Sequence, residues 1–181
     1  LQRREGGIIW HTQGSGKSLT MVWLARWIRE NILDGRVLII TDRTELDDQI
    51  EGVYLGVNEG IYRTKNGADL ITRLNATAPW LICSLIHKFG RAEDKGGEQE
   101  VDQYIEEVKK AIPPDFRAKG DLYVFVDECH RTQSGKLHQA MKTILPHALF
   151  IGFTGTPLLR SDKKRSIEIF GPYISPYKFD E

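Results

Sequence analysis

The run His11-Thr12-Gln13-Gly14-Ser15-Gly16-Lys17-Ser18 places two glycines, a lysine and hydroxyls within a few residues. That combination suits a polyphosphate, which concentrates several negative charges in a small volume. Binding it takes many donors at close range and no bulky side chains in the way. Gly14 and Gly16 let the backbone turn so that successive N–H groups face the phosphates. A helix beginning at Lys17 adds its unsatisfied N–H groups and the positive end of its dipole. Lys17 can reach the β and γ phosphates of ATP, and the Ser18 hydroxyl can ligate Mg²⁺. The general pattern opens with glycine five residues before Gly16, where this chain has His11. The Gly-x-Gly-Lys-Ser core is intact.

A second group of reactive side chains follows an apolar stretch in Val124-Phe125-Val126-Asp127-Glu128-Cys129-His130. A carboxylate at the C-terminal end of a buried strand lies where open α/β sheets place their ligands. Asp127 is suited to hold Mg²⁺, through water. Glu128 is suited to polarise an attacking water as general base. His130 can donate toward the γ-phosphate or toward the next strand's tip. A third group is Phe153-Thr154-Gly155-Thr156-Pro157-Leu158, a tight turn from which the hydroxyls of Thr154 and Thr156 project. Cys129 reads as a small buried filler, because no matched base for a catalytic thiol is identifiable.

These groups need strands that deliver them to one edge and helices that cover the strands. Gly6 to Trp10, Val37 to Ile40, Trp80 to Cys83, Leu122 to Val126 and Leu149 to Phe153 are short apolar runs that read as buried strands. Between them, Met21, Leu24, Ala25, Ile28 and Ile32 make one stripe on a helix over 17–33, with Gly35 just past its end. Further helices are predicted from about Thr44 to Gly52, over Gly67–Asn75 with Leu70, Ile71 and Leu74 inward, from Leu85 toward Phe89, and over 137–145, where Pro146 stops the last. Strands apolar on both faces and alternating with helices predict an α/β fold with a mostly parallel sheet and helices on both sides.

The segment from Arg91 to Glu107 carries seven acidic residues against two basic ones and includes Gly96-Gly97. Its charge predicts a surface insertion over 91–119: a loop, then an exposed helix from Val101 to Ile112 stopped by Pro113-Pro114. The last twenty residues, with Gly171, Pro172 and Pro176, read as a strap or linker.

With 25 Lys plus Arg against 25 Asp plus Glu in 181 residues, the chain has no net charge, which excludes a strongly basic nucleic-acid coat but not a local basic face. No apolar run approaches the roughly 18 residues of a membrane span, and the start has no signal-peptide character. Two cysteines without metal-ligand spacing argue against a disulfide framework or zinc module and fit a cytoplasmic compartment. A first residue that is Leu, close before a strand, suggests a piece of a longer protein.

In order, a phosphate loop, an Asp-Glu-x-His box and Thr-Gly-Thr-Pro resemble the first motor domain of superfamily 2 helicases and translocases. Four wider strings resemble the motor (R) subunit of type I restriction enzymes. These run from Gly6 to Ser18, from Thr41 to Ile50 (Thr-Asp-Arg-Thr-Glu-Leu-Asp-Asp-Gln-Ile), from Val126 to Arg131 and from Gly152 to Leu158. The resemblance covers nearly the whole chain and is weakest over 91–119. It implies a RecA-like P-loop NTPase domain over 1–160 whose 149–153 strand lies between the phosphate-loop strand and the Asp127 strand. Residues 161–181 would then lead toward a second RecA-like motor domain.

The same resemblance implies an ATP-driven translocase of double-stranded DNA, serving an endonuclease together with methylase and specificity subunits. Lys17, Asp127, Glu128 and His130 form its catalytic set. Thr12, Gln13, Gly14, Ser15, Gly16, Lys17, Ser18, Thr154 and Thr156 hold the nucleotide, and Ser18 and Asp127 the metal. Asp42 and Arg43 are expected near the DNA backbone, with Ser84, His87 and Lys88. Lys136 and the cluster Arg160, Lys163, Lys164 and Arg165 are further candidates for phosphate contact. Such contacts give a salt-dependent affinity of roughly one unit of slope each. No base-reading motif is found, so sequence specificity is assigned to another subunit. Without a second lobe's arginine finger, which contributes on the order of 10³- to 10⁵-fold in rate, these residues alone are expected to turn ATP over poorly. An RNA helicase domain shares the general motifs, and a nucleotide-switched binding module with little turnover is the alternative of a different kind.

Overall fold

The computed structural model describes residues 5–11, 16–41, 60–86, 97–129, 132–155 and 167–177. Seven strands form one sheet: β1 (Gly7–His11), β2 (Gly35–Thr41), β3 (Tyr62–Arg63), β4 (Leu81–Leu85), β5 (Asp121–Val126), β6 (Leu149–Thr154) and β7 (Tyr173–Tyr177). Their spatial order is β3-β4-β2-β5-β6-β1-β7. Every pairing is parallel. β6 therefore sits between β5 and β1, as the sequence resemblance implies.

Alternation along the strands splits the core in two. Val37 and Ile39 of β2, Tyr123 and Phe125 of β5, and Ile151 and Phe153 of β6 face one side. There they meet Met21, Val22, Ala25 and Ile28 of α1 (Lys17–Asn31). Leu38, Ile40, Val124 and Phe150 face the other side. That side is covered by α2 (Gly67–Asn75), α3 (Gly97–Lys110) and α4 (Thr132–Ile144). A strand buried on both faces has no polar alternation, which is why its sequence reads as a continuous apolar run.

β1, β2, β4, β5, β6 and α2 lie where the apolar patterns put them, with ends that differ by a residue or two. α2 starts at a side-chain cap: Asn66 accepts the Asp69 amide at 2.9 Å. Only Ile86 of the helical turn expected after β4, and none of the helix expected over 44–52, falls within the described residues.

Two expectations are corrected. The helix of the acidic segment is not exposed: Val101, Tyr104, Ile105 and Val108 recur at helical spacing and are buried against the sheet. Its charges occupy the opposite face, where Glu106 pairs with Lys110 and Asp102 with Lys136. The high charge obscured a four-residue stripe that suffices to cover β4 and β2. The terminal stretch is also not simply a strap, because Tyr173–Tyr177 pairs with β1 as an edge strand.

At the end of the sheet opposite the carboxyl tips, Arg36 is 2% exposed and has no carboxylate partner among the described residues. Burial draws its pKa below the ordinary guanidinium value. Its fork donates to the carbonyls of Arg73, Leu74 and Ala76 at the end of α2, and to those of Pro79 and Lys119. A helix end leaves its last carbonyls unsatisfied, so Arg36 is the C-terminal cap of α2 as well as its tie to β2. Replacement by Met would strand several buried carbonyls. Arg36→Met is expected to lower unfolding stability by about 3 kcal/mol or more, read from the denaturant midpoint.

His138 of α4 is buried between the rings of Phe150 and Phe170, with centroids at 4.7 and 4.8 Å. Burial, helped by Lys142, pushes its pKa down from 6.5 to about 4. Between those values the unfolded chain binds the proton and the folded chain does not. Stability is therefore expected to fall as pH drops from about 6.5 toward about 4, and His138→Leu should flatten that slope in pH-resolved melts. An unchanged slope would rule out His138 as its source.

Candidate functional site

The tips of β1, β6, β5 and β2 stand side by side at one edge, because Trp10 registers with Thr154, Val126 with Gly152 and Ile40 with Val126. All the strands are parallel, so this edge collects carboxyl ends, and three of the sequence motifs converge on it.

From the phosphate loop the described residues are His11, Gly16, Lys17 and Ser18. Gly16 has φ +84°, a left-handed conformation that side chains disfavour. It caps α1, and the amide of Thr20 donates to its carbonyl at 2.9 Å. Glycine offers no capping side chain, and the first turn of α1 contains no acidic residue. The positive helix end is thus neither capped by Gly16 nor neutralised within its first turn, which suits an anion. His11, the departure from the general pattern, places Nδ1 3.5 Å from the Thr20 hydroxyl. Thr20 in turn donates to Gly16 O at 3.1 Å.

Lys17 and the acidic pair meet directly, although they are 111 positions apart for Lys17 and Glu128. Lys17 Nζ lies 2.7 Å from Asp127 Oδ1 and 2.8 Å from Glu128 Oε1. The cluster is shielded from water: the Lys17 side chain is 14% exposed and those of its two partners 0% and 5%. Burial alone would lower the Lys17 pKa, but Asp127 and Glu128 outweigh it and hold the ammonium above its ordinary value. Asp127 is held above the ordinary carboxylate value, first by burial and then by Glu128, against the pull of Lys17. One cation facing two carboxylates leaves the cluster net negative.

The backbone makes this possible. The Asp127 amide donates to Ile40 O at 3.0 Å, which extends the β5–β2 ladder one residue past the strand. Glu128 then takes φ +49°, rare for a residue with a side chain. The turn carries Cys129 under the tip of β6, where its amide donates to Phe153 O at 2.9 Å. Gly152 makes room, since a Cβ there would stand 2.7 Å from Cys129 Sγ. Burial pushes the Cys129 thiol up to about 12, which bears out its reading as an inert filler. A non-glycine residue in left-handed backbone beside a buried ion cluster is the kind of strain that functional sites retain.

Sequence reasoning assigned no role to Thr41, the last residue of β2. Its hydroxyl donates to Asp127 Oδ2 at 3.2 Å. The available signal was a polar residue closing an otherwise apolar strand. Thr154 is fully buried at the tip of β6. Ser84 is not at a DNA-facing surface. It is fully buried on β4, and its Oγ accepts from Thr64 and from Tyr104, each at 3.1 Å. The hydroxyl is satisfied within the core because α3 closes over that strand. Lys136 is paired with Asp102. Thr12, Gln13, Gly14, Ser15, Asp42, Arg43, His87, Lys88, His130, Thr156 and the basic cluster at 160–165 lie outside the described residues.

The donors fit a magnesium nucleotide. Asp127 Oδ1 is buried and forms no aligned hydrogen bond among the described residues, its contact being the ion pair with Lys17. The Asp127 carboxylate and the Ser18 hydroxyl are both oxygen donors, the chemistry a hard divalent cation requires. Among the described residues no group of three or more His, Cys, Asp and Glu forms a protein-only metal cage. A site of this kind leaves the remaining metal positions to phosphate and water.

A parallel sheet with the order given above, a lysine at a helix start and an acidic pair at the adjacent strand tips define a RecA-like, P-loop type of nucleotide-binding domain. Comparison with known proteins supports this. Over residues 1–181 the chain matches the SWI2/SNF2 ATPase family, and it belongs to that family. It is 33% identical over 177 residues to the SsaAORF53P type I restriction enzyme endonuclease subunit of Staphylococcus saprophyticus, covering 94% of this chain and 17% of that protein. The fold is shared with a nuclease-deletion mutant of the type ISP restriction-modification enzyme LlaGI, solved with a DNA substrate mimic (TM-score 0.59, 16% identity, 97% of this chain and 18% of that one). It is shared also with the Hef helicase domain of Pyrococcus furiosus (TM-score 0.58, 16% identity, 94% and 35%). The chain thus spans about a sixth of the length of the relative it matches.

Removing the Lys17 side chain leaves two buried carboxylates facing each other. Lys17→Ala is expected to lower local protection by about 3 kcal/mol, read from hydrogen exchange at the Asp127 and Cys129 amides. Exchange at wild-type rates would show that Lys17 does not hold the acidic pair.

Proposed function

We propose that this chain is the first motor domain of a type I restriction endonuclease R subunit, hydrolysing ATP to drive double-stranded DNA translocation before cleavage. The observation that carries it is the Lys17 ammonium seated between Asp127 and Glu128. Lys17, Asp127 and Glu128, three of the four residues proposed as catalytic, meet at one sheet edge. The similarity to a type I endonuclease subunit supports the biological setting. That setting is cytoplasmic, with methylase and specificity subunits as partners. Among the described residues no helix is long and apolar enough to cross a membrane. Residues 1–160 would form the motor domain together with the β7 edge strand, and the rest of 161–181 would lead toward a second RecA-like domain.

In this reading Thr12 to Ser18 wrap the phosphates of ATP, and Thr154 and Thr156 approach the γ-phosphate side. Ser18 and Asp127 hold Mg²⁺, which supplies charge neutralisation and polarisation of the phosphate oxygens when bound. Lys17 exchanges its carboxylate partners for phosphate oxygens, so part of the ion-pair energy offsets the cost of moving it. The Glu128 carboxylate, released from Lys17, accepts a proton from the attacking water. His130 donates toward the γ-phosphate. Asp42, Arg43, His87 and Lys88 are proposed to approach the DNA backbone. Ser84 is excluded from that set by its burial.

Glu128→Gln keeps the shape and removes the base. In the intact protein it is expected to lower duplex-stimulated ATP turnover by roughly 10²-fold or more while nucleotide is still bound. Unchanged turnover would favour a nucleotide-switched clamp, and stimulation by RNA but not by duplex DNA would favour an RNA helicase.

A further inference from the structure

Asp127 is held from three directions. Lys17 sits against Oδ1, Thr41 donates to Oδ2, and the Asp127 amide is bound to Ile40 O. The last two come from consecutive residues at the end of β2. Thr41 is fully buried, and the four residues before it fill the two core layers with aliphatic side chains. Valine has the same shape and would pack there without desolvating a hydroxyl. The hydroxyl therefore needs a reason beyond packing, and its partner supplies one.

A carboxylate at a strand tip can rotate about two bonds. Tying Oδ2 to Thr41 turns Oδ1 toward Lys17 and the start of α1, the side on which the phosphates are placed above. A neutral donor does this without cancelling the negative charge. The O···O separation is 3.2 Å, at the long end for such a bond. We propose that Thr41 is a positioning residue that orients the Asp127 carboxylate so that Oδ1 faces the divalent cation. The inference rests on the magnesium-nucleotide reading of this site.

The test uses the intact protein with Thr41→Val, which keeps the shape and loses the donor, and Thr41→Ser, which keeps the donor. Mn²⁺ binding in the presence of ADP is followed through the electron paramagnetic resonance signal of the free ion. ATP turnover is measured against Mg²⁺ concentration. Thr41→Val is expected to weaken Mn²⁺ binding about tenfold, the scale of one hydrogen bond to a charged group. It should raise the Mg²⁺ needed for half-maximal turnover in parallel, leave the KM for ATP at saturating Mg²⁺ little changed, and be rescued by Thr41→Ser. Thr41→Ala carries the same expectation should Val fail to fold. Wild-type Mn²⁺ binding by the Val or Ala variant, or a Ser variant as weak as Val, overturns the proposal. Wild-type protein that takes up no Mn²⁺ with ADP instead overturns the magnesium-nucleotide reading, and the role of Thr41 with it.

Discussion

The Lys17 ammonium between Asp127 and Glu128 is the contact on which the site depends. Two carboxylates side by side at a buried strand end are costly to leave uncompensated, because both charges lose water and repel each other. A lysine fixed at a helix start is the nearest remedy. It also joins two parts of the chain that are far apart in sequence. In the proposed reading phosphates need the same cation, so charge balance at the acidic pair and nucleotide binding draw on one group. Burial raises the Asp127 pKa first and Glu128 adds to it, while Lys17 pulls it back.

The sheet is what makes that contact possible. β6 between β5 and β1 sets the tip of the Asp127 strand one strand away from the strand that feeds Lys17. Burial on both faces keeps these strands in register, and the positive φ at Glu128 turns the chain so that Cys129 runs under the tip of β6. The opposite end is secured differently. There Arg36 satisfies backbone carbonyls instead of a carboxylate, which holds α2 on the sheet without adding a charge pair. Among the described residues α1 is the helix on one face and α2, α3 and α4 cover the other, so the helix carrying Lys17 is braced by the layer that contains Phe125 and Phe153.

Much of this was legible in residue order. Five apolar runs correspond to β1, β2, β4, β5 and β6, and the helix over Gly67–Asn75 falls where its stripe put it. Strand β3, with two residues, carries too little pattern to be read, and β7 was hidden behind Gly171, Pro172 and Pro176. α3 was misjudged because its net charge was weighed above the spacing of Val101, Tyr104, Ile105 and Val108. Ser84 was misjudged because a polar residue at a strand end points as readily to a buried hydroxyl partner as to solvent. Tyr104 settles that choice from another helix.

Sequence alone determined which groups could do chemistry and which segments had to be buried, since glycine spacing, acidic pairs and apolar runs are local properties of the chain. Tertiary structure decided which of those groups meet. The ion pair of Lys17, the Thr41 hydroxyl on Asp127 and the cap by Arg36 each join residues tens of positions apart. Their geometry depends on strand order and register, which are set by the packing of the whole sheet and by no single segment of it.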